Sequence, residues 1–118
     1  MKEFKFDYDS ENDDLFIYSG KSKSKGSVEL GDIIFDSDSD GNIVAIQIMN
    51  AVKFIKEIVG DKYPISKKNL ESIKLCKINF KFINNLILVK ILLVTENIEV
   101  HVPLQVPSIK TSSPGLRY

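Results

Sequence analysis

From Phe4 to Val106 the chain keeps returning to a two-residue alternation of apolar and polar side chains, and that period constrains its fold more than any other feature. Phe4, Phe6 and Tyr8 alternate with Lys5 and Asp7, while Cys76, Ile78, Phe80 and Phe82 alternate with Lys77, Asn79 and Lys81. Ile98, Val100, Val102, Leu104 and Val106 alternate with Glu99, His101, Pro103 and Gln105. Each run predicts a strand with one buried face. Leu86 to Val94 is apolar on both faces, as a strand covered on both sides would be. Leu15 to Tyr18 reads the same way, with Leu15 and Ile17 pointing one way and Phe16 and Tyr18 the other.

The connections follow from turn chemistry. Asp9 to Asp14 is a polar turn, and the Gly/Ser/Lys stretch from Gly20 to Gly26 is a loop leading into a third strand that ends at Ile33-Ile34-Phe35 and bends at Gly31-Asp32. Asp36 to Asn42 is dense in residues that bond their own backbone, so it predicts a hairpin connection to a return strand, Ile43 to Met49. Read this way, the first four strands form an up-and-down meander. Asn50 is placed as a helix N-cap, Ala51, Phe54, Ile55 and Ile58 fall at i, i+3, i+4 and i+7, and Gly60 stands where the helix should end. Ser66 caps a second, shorter helix running to Ile73. A second meander follows, turning at Asn84-Asn85 and Glu96-Asn97.

The expected class is therefore α+β: a mainly antiparallel sheet of about six or seven strands in two meanders, with one or two short helices. The 118 residues suit one domain. Residues 1–60 form a meander plus helix, residues 61–106 a short helix plus a three-stranded extension, and residues 107–118 an aperiodic tail. The two-sided apolar strands outnumber the helices that could cover them. Either the meanders pack face to face or a second subunit covers the remaining face, and a homodimer or other homo-oligomer is expected.

Charge narrows the partners. Sixteen basic residues balance sixteen acidic ones, and Arg117 is the only arginine, so the field and the bidentate donors of a nucleic-acid reader are missing. The longest apolar run, Leu86 to Val94, is interrupted by Lys90 and is about half the ~20 residues a membrane span needs. The opening residues alternate instead of forming a continuous apolar leader, and a cytoplasmic location is expected. Cys76 stands alone, so an intrachain disulfide cannot form and a Cys or Cys/His zinc site cannot be assembled from one chain.

Two acidic turns are the sharpest chemical candidates. Asp36, Asp38, Asp40 and Gly41 match the start of a calcium-binding EF-hand loop, but Gln47 stands where that loop needs a bidentate Glu and the flanks read as strands. In an up-and-down meander this turn would share one rim with Asp9, Glu11, Asp13 and Asp14, opposite Lys21, Lys23 and Lys25. Asp36, Asp38, Asp40, Asp9, Glu11 and Asp13 are accordingly the metal-ligand candidates, with Ca²⁺ the candidate ion and otherwise no cofactor expected. Solvated hairpin tips are the plain alternative. No catalytic set is assembled: His101 falls on the solvent face without a nucleophile near it, Cys76 falls on an apolar face, and Lys67-Lys68 reads as a solvated turn. Pro103 and Pro107 make the last strand an edge, and Ile98, Val100 and Val102 are its candidate interaction residues.

The run Tyr8-Asp9-Ser10-Glu11-Asn12-Asp13-Asp14-Leu15-Phe16-Ile17 resembles the opening of the family called domain of unknown function 2283, in which Tyr-Asp-x-Glu-x-Asp precedes a small residue, Leu, an aromatic and Ile. The likeness continues through Asp36-x-Asp38-x-Asp40-Gly41-Asn42-Ile43-Val44-Ala45-Ile46 to Ala51, and covers roughly residues 4–52. This chain departs from it at Gln47, where the family has Glu, and at Ser37, where it commonly has an aromatic. The resemblance implies a small β-rich module. The function expected from these readings together is a non-catalytic interaction or oligomerisation module with a protein partner; the alternative is a domain that binds a divalent cation or small ligand through its acidic hairpin turns.

Overall fold

The alternating segments become β1 (Lys2–Asp9), β2 (Asp14–Tyr18), β3 (Gly26–Leu30), β4 (Ile33–Ser37), β5 (Ile43–Ile48), β6 (Ile73–Ile83), β7 (Leu86–Thr95) and β8 (Glu99–Pro107). Helices α1 (Ala51–Val59) and α2 (Lys67–Glu71) lie between β5 and β6. The computed structural model describes residues 1–21 and 23–107, so the rest of the expected tail, 108–118, lies outside the described residues. The class is α+β, and the sheet is antiparallel throughout, in the order β3-β4-β5-β2-β1-β6-β7-β8.

Eight strands exceed the six or seven expected because the third strand is two. At Gly31 the backbone takes φ +61°, a value glycine adopts freely, and Leu30 pairs directly with Ile33 across a two-residue turn. What reads in sequence as a bend is a full reversal. The first strands are consequently not a simple meander: the β3–β4 hairpin lies outermost and β5 returns beside β2, with Leu15 opposite Ile48 and Tyr18 opposite Ala45.

The two halves are also not separate sheets. In β1, residues 2–4 pair with β6 and residues 5–9 pair with β2, so a single strand passes the ladder from one half to the other. Inward side chains from both sides of this splice, among them Phe35, Ile46 and Ile17 on one and Ile78, Ile91 and Val102 on the other, form one buried cluster. Ala51 and Ile55 of α1 belong to that cluster, as do Ile65 and Leu70. Phe4 meets Phe80 edge to face across the splice, with ring centroids 6.1 Å apart. Burying each such Ile or Phe contributes about 1.5–3 kcal/mol, so the cluster is the main source of stability.

The outward side chains of β2 and β7 are only partly covered. On β7, Ile87, Val89, Ile91 and Leu93 are buried, but Leu86 is 43% exposed and Lys90 faces water. On β2, Leu15 and Ile17 are buried and Phe16 is 40% exposed. The cover expected for both faces of these strands is thus incomplete, with outward Phe16 and Leu86 left in water.

Candidate functional site

The turn between β1 and β2 carries the family-like acidic motif, and its carboxylates are engaged in holding the fold. Asp13 adopts φ +57° and turns its side chain toward the start of α1, where both carboxylate oxygens accept from the Val52 N–H at 3.2 and 3.3 Å. Its backbone oxygen accepts from the Ala51 N–H at 2.9 Å, and the Tyr8 hydroxyl donates to its carboxylate at 2.6 Å. Burial, together with the adjoining Asp13 carboxylate, raises the Tyr8 pKa above its ordinary value. The first turn of α1 contains no acidic residue of its own, so Asp13 supplies the negative charge that a helix N-terminus favours.

Asn50 occupies the N-cap position that the sequence predicts, its carbonyl accepting from the Phe54 N–H at 2.9 Å, but its side chain does not cap the helix. It sits at φ 51° with no side-chain cap bond, and its amide instead donates to Asp32 at 3.3 Å. The side-chain cap comes from a turn 39 residues upstream, and its one local trace is the missing acid in the first turn of α1. Asp9 accepts from the N–H groups of Glu11 and Asn12 and from the Asn12 amide, and these bonds hold its carboxyl below the usual range. The expected cap of α2 is present: Ser66 and Asn69 bond reciprocally in a capping box.

The second acidic turn lies at the opposite end of the sheet. The β1–β2 turn adjoins Leu15, which pairs with Ile48, whereas the β4–β5 turn adjoins Ser37, which pairs with Ile43. The shared rim expected for the seven acidic residues therefore does not exist, because the reversal at Gly31 moves one turn to the far end. Lys25 is at that far end too, its N–H donating to the Ser37 oxygen at 2.7 Å, so the lysine loop neighbours one acidic turn instead of opposing both. Asp38 accepts from the N–H groups of Asp40 and Asn42 at 2.9 and 3.0 Å. Partial burial raises its pKa, but these donors outweigh it and the carboxyl stays low. Asp36 accepts from the Ser27 hydroxyl at 2.6 Å. Among the described residues, no three His, Cys, Asp or Glu side chains converge in a metal-holding group.

Beside this end lies a hollow of about 480 Å³, rimmed by Lys2, Lys21, Asp38 and Asn42 and floored by Phe4 and Phe80. His101 is exposed and opposite Leu92, so it stands on the outer face as its sequence position predicts. Cys76 is fully buried opposite Leu93, and desolvation pushes its thiol up to about 12. At pH 8 the native thiolate fraction falls about 10³-fold below that of a free cysteine, so labelling by a disulfide reagent is expected to track unfolding. Stoichiometric labelling of the folded protein within minutes would contradict this burial.

In the β6–β8 half, two exposed features bear on contact with other molecules. At the tip of the β6–β7 hairpin, Phe82, Ile83 and Leu86 are 51%, 39% and 43% exposed around the two-residue turn Asn84-Asn85. The other is β8, which is an edge as expected. Its Val100 and Val102 side chains are fully buried and Ile98 is half-buried, so the residues it presents outward are Glu99, His101, Pro103, Gln105 and Pro107. The Thr95 N–H donates to the Ile98 oxygen at 2.8 Å. Antiparallel alternation from that pair directs the backbone nitrogens of the odd-numbered residues outward, two of which are prolines with no hydrogen to give. Strand addition at β8 is correspondingly poor in donors.

Comparison with known proteins adds context to this geometry. Over 63 residues the chain is 44% identical to an uncharacterized protein of Methanocaldococcus jannaschii, an overlap covering 53% of this chain and 52% of that one. Over 70 residues it is 36% identical to a Methanosarcina mazei protein named "Putative hypoxanthine phosphoribosyltransferase", covering 59% of this chain and 50% of that one. The chain thus spans about half the length of the curated relatives it matches. No solved structure matches it. Residues 5–51, which hold the Tyr8–Asp13 anchor and both acidic turns, match the model of the family described as Protein of unknown function (DUF2283).

Proposed function

We propose that this protein is a non-catalytic protein-interaction module that self-associates, most simply as a twofold homodimer. The observation that carries this reading is the β6–β7 tip, where three large apolar side chains stand in water on a tight turn. Covering them would remove apolar surface from solvent without repacking the core. Sedimentation velocity over a concentration series tests it: the wild-type chain is expected to associate, and Leu86→Glu to shift the equilibrium toward monomer by at least about tenfold in dissociation constant. A wild-type chain that is monomeric at every concentration defeats the reading.

The name of the Methanosarcina relative raises phosphoribosyl transfer, and the geometry here gives that reading no support. Phosphates are commonly taken by free N–H groups where a Gly-rich loop opens a helix. In α1 the Val52 N–H already binds the Asp13 carboxylate, and no Gly-rich loop precedes the helix. Cation binding at Asp36, Asp38 and Asp40 or at Asp9, Glu11 and Asp13 is the second reading, favoured by carboxylate density alone. Because Asp9, Asp13 and Asp38 already accept bonds within their turns or from α1, millimolar calcium is expected to leave the melting temperature unchanged. A rise specific to calcium would favour the cation reading. Among the described residues no helix is long and apolar enough to cross a membrane.

A further inference from the structure

The outer face of the β3-β4-β5-β2-β1 half has a composition that its fold does not require. One row across it runs Asp7, Phe16, Gln47, Ile34 and Glu29, residues placed opposite one another by the registers of four consecutive strand pairs. Phe16 and Tyr18 stack on this face with ring centroids 5.0 Å apart and planes 21° from parallel. The core side of β2 is already filled by Leu15 and Ile17, both fully buried, so the stacked pair contributes to the surface and not to the interior.

Charge on this face is one-sided. Asp7 and Glu29 end the row through Phe16, and Asp36 lies in the adjoining row. Among the described residues the one cation in these rows is Lys5, opposite Tyr18, and its chain reaches over Gly20, with Nζ only 3.4 Å from where a Cβ at Gly20 would lie. Lys5 is thus held toward the loop after β2, away from Phe16. An exposed aromatic pair with Asp7 beside it, and Glu29 and Asp36 farther along the same rows, attracts guanidinium or ammonium groups doubly, through the ring quadrupole and through charge-assisted hydrogen bonds.

We propose that this face docks a Lys- or Arg-bearing segment of a partner protein, with Phe16 and Tyr18 under the cationic heads and Asp7, Glu29 and Asp36 pairing with them. The proposal rests on the interaction-module reading but uses a surface separate from the β6–β7 tip. The test is fluorescence anisotropy with a short labelled peptide of alternating Arg and Ser, titrated with the full chain carrying Leu86→Glu so that self-association does not enter. Binding is expected, and it should weaken as salt shortens the reach of exposed charges. Phe16→Ala should lower affinity about tenfold, as should Asp7→Asn combined with Glu29→Gln, which keeps the surface shape if the aromatic change perturbs folding. Absence of binding, equal binding of a Gln-Ser peptide, or affinity unchanged in both variants would overturn it. Loss of wild-type self-association on Phe16→Ala would overturn it as well, since the occupant would then be a second copy. Peptide binding by a wild-type chain that sediments as a monomer supports this surface while removing the dimer.

Discussion

Asp13→Ala is expected to cost about 2–3 kcal/mol of folding stability, an unusually large loss for a turn residue, because one carboxylate serves two elements at once. Losing a helix cap costs about 1 kcal/mol, and a hydrogen bond to a charged acceptor contributes about 1.5–3 kcal/mol. Asp13 provides both, accepting from the Val52 N–H and from the part-buried Tyr8 hydroxyl. Asp13→Asn keeps an acceptor and a side chain tolerant of φ +57°, so about 1 kcal/mol is the expected loss there. Urea unfolding of Asp13→Ala, Tyr8→Phe and the double variant should reveal a coupling of about 1–2 kcal/mol. If Asp13→Ala stays within about 0.5 kcal/mol of wild type, the anchor contributes nothing beyond an ordinary surface turn.

The parts of this fold that were legible in sequence are those fixed by neighbours a few residues away. The alternation of β6, the turns at Asn84-Asn85 and Glu96-Asn97, the Ser66 cap and the Gly60 helix end are all local, and all are present. Gly31-Asp32 shows where local reading fails. A glycine in a strand-like run fits a bulge and a two-residue reversal equally well, and the choice depends on whether Leu30 finds Ile33 or a different strand. That single ambiguity changes the strand count, the neighbours of β2 and the end at which Asp38 emerges.

The candidate site was legible in residue type and opaque in purpose. Asp9, Asp13 and Asp38 stand out by composition, which suggests ligands for an ion, whereas their acceptors are engaged with Asn12, Val52 and Asn42. The Asp13 anchor joins a turn to a helix across 39 residues, and the cue that could have exposed it is the missing acid in the first turn of α1. Phe16 reads as covered because Leu15 to Tyr18 is apolar on both faces, with Phe16 and Tyr18 opposite Leu15 and Ile17. Its 40% exposure reflects what the whole sheet leaves uncovered, which no window around residue 16 contains.

Neither half of the chain is expected to fold alone, even though the family match stops at residue 51 and makes a self-standing N-terminal module the natural alternative. In a fragment of residues 1–60, Lys2, Glu3 and Phe4 lose their β6 partners, Phe4 loses Phe80, and α1 loses the β8 strand it packs against. Ile17, Ile46 and Ile55 belong to a cluster completed by Ile78, Ile91 and Val102, and each side chain left uncovered forfeits about 1.5–3 kcal/mol. A whole domain holds only about 5–15 kcal/mol in reserve, so a few such losses exhaust it. Circular dichroism of either half is expected to show no cooperative urea transition, while mixing the halves should restore one through the β1–β6 ladder. A cooperative transition in the 1–60 fragment alone would mean that β1 carries two independent cores side by side and that the splice at Phe4 is incidental to stability.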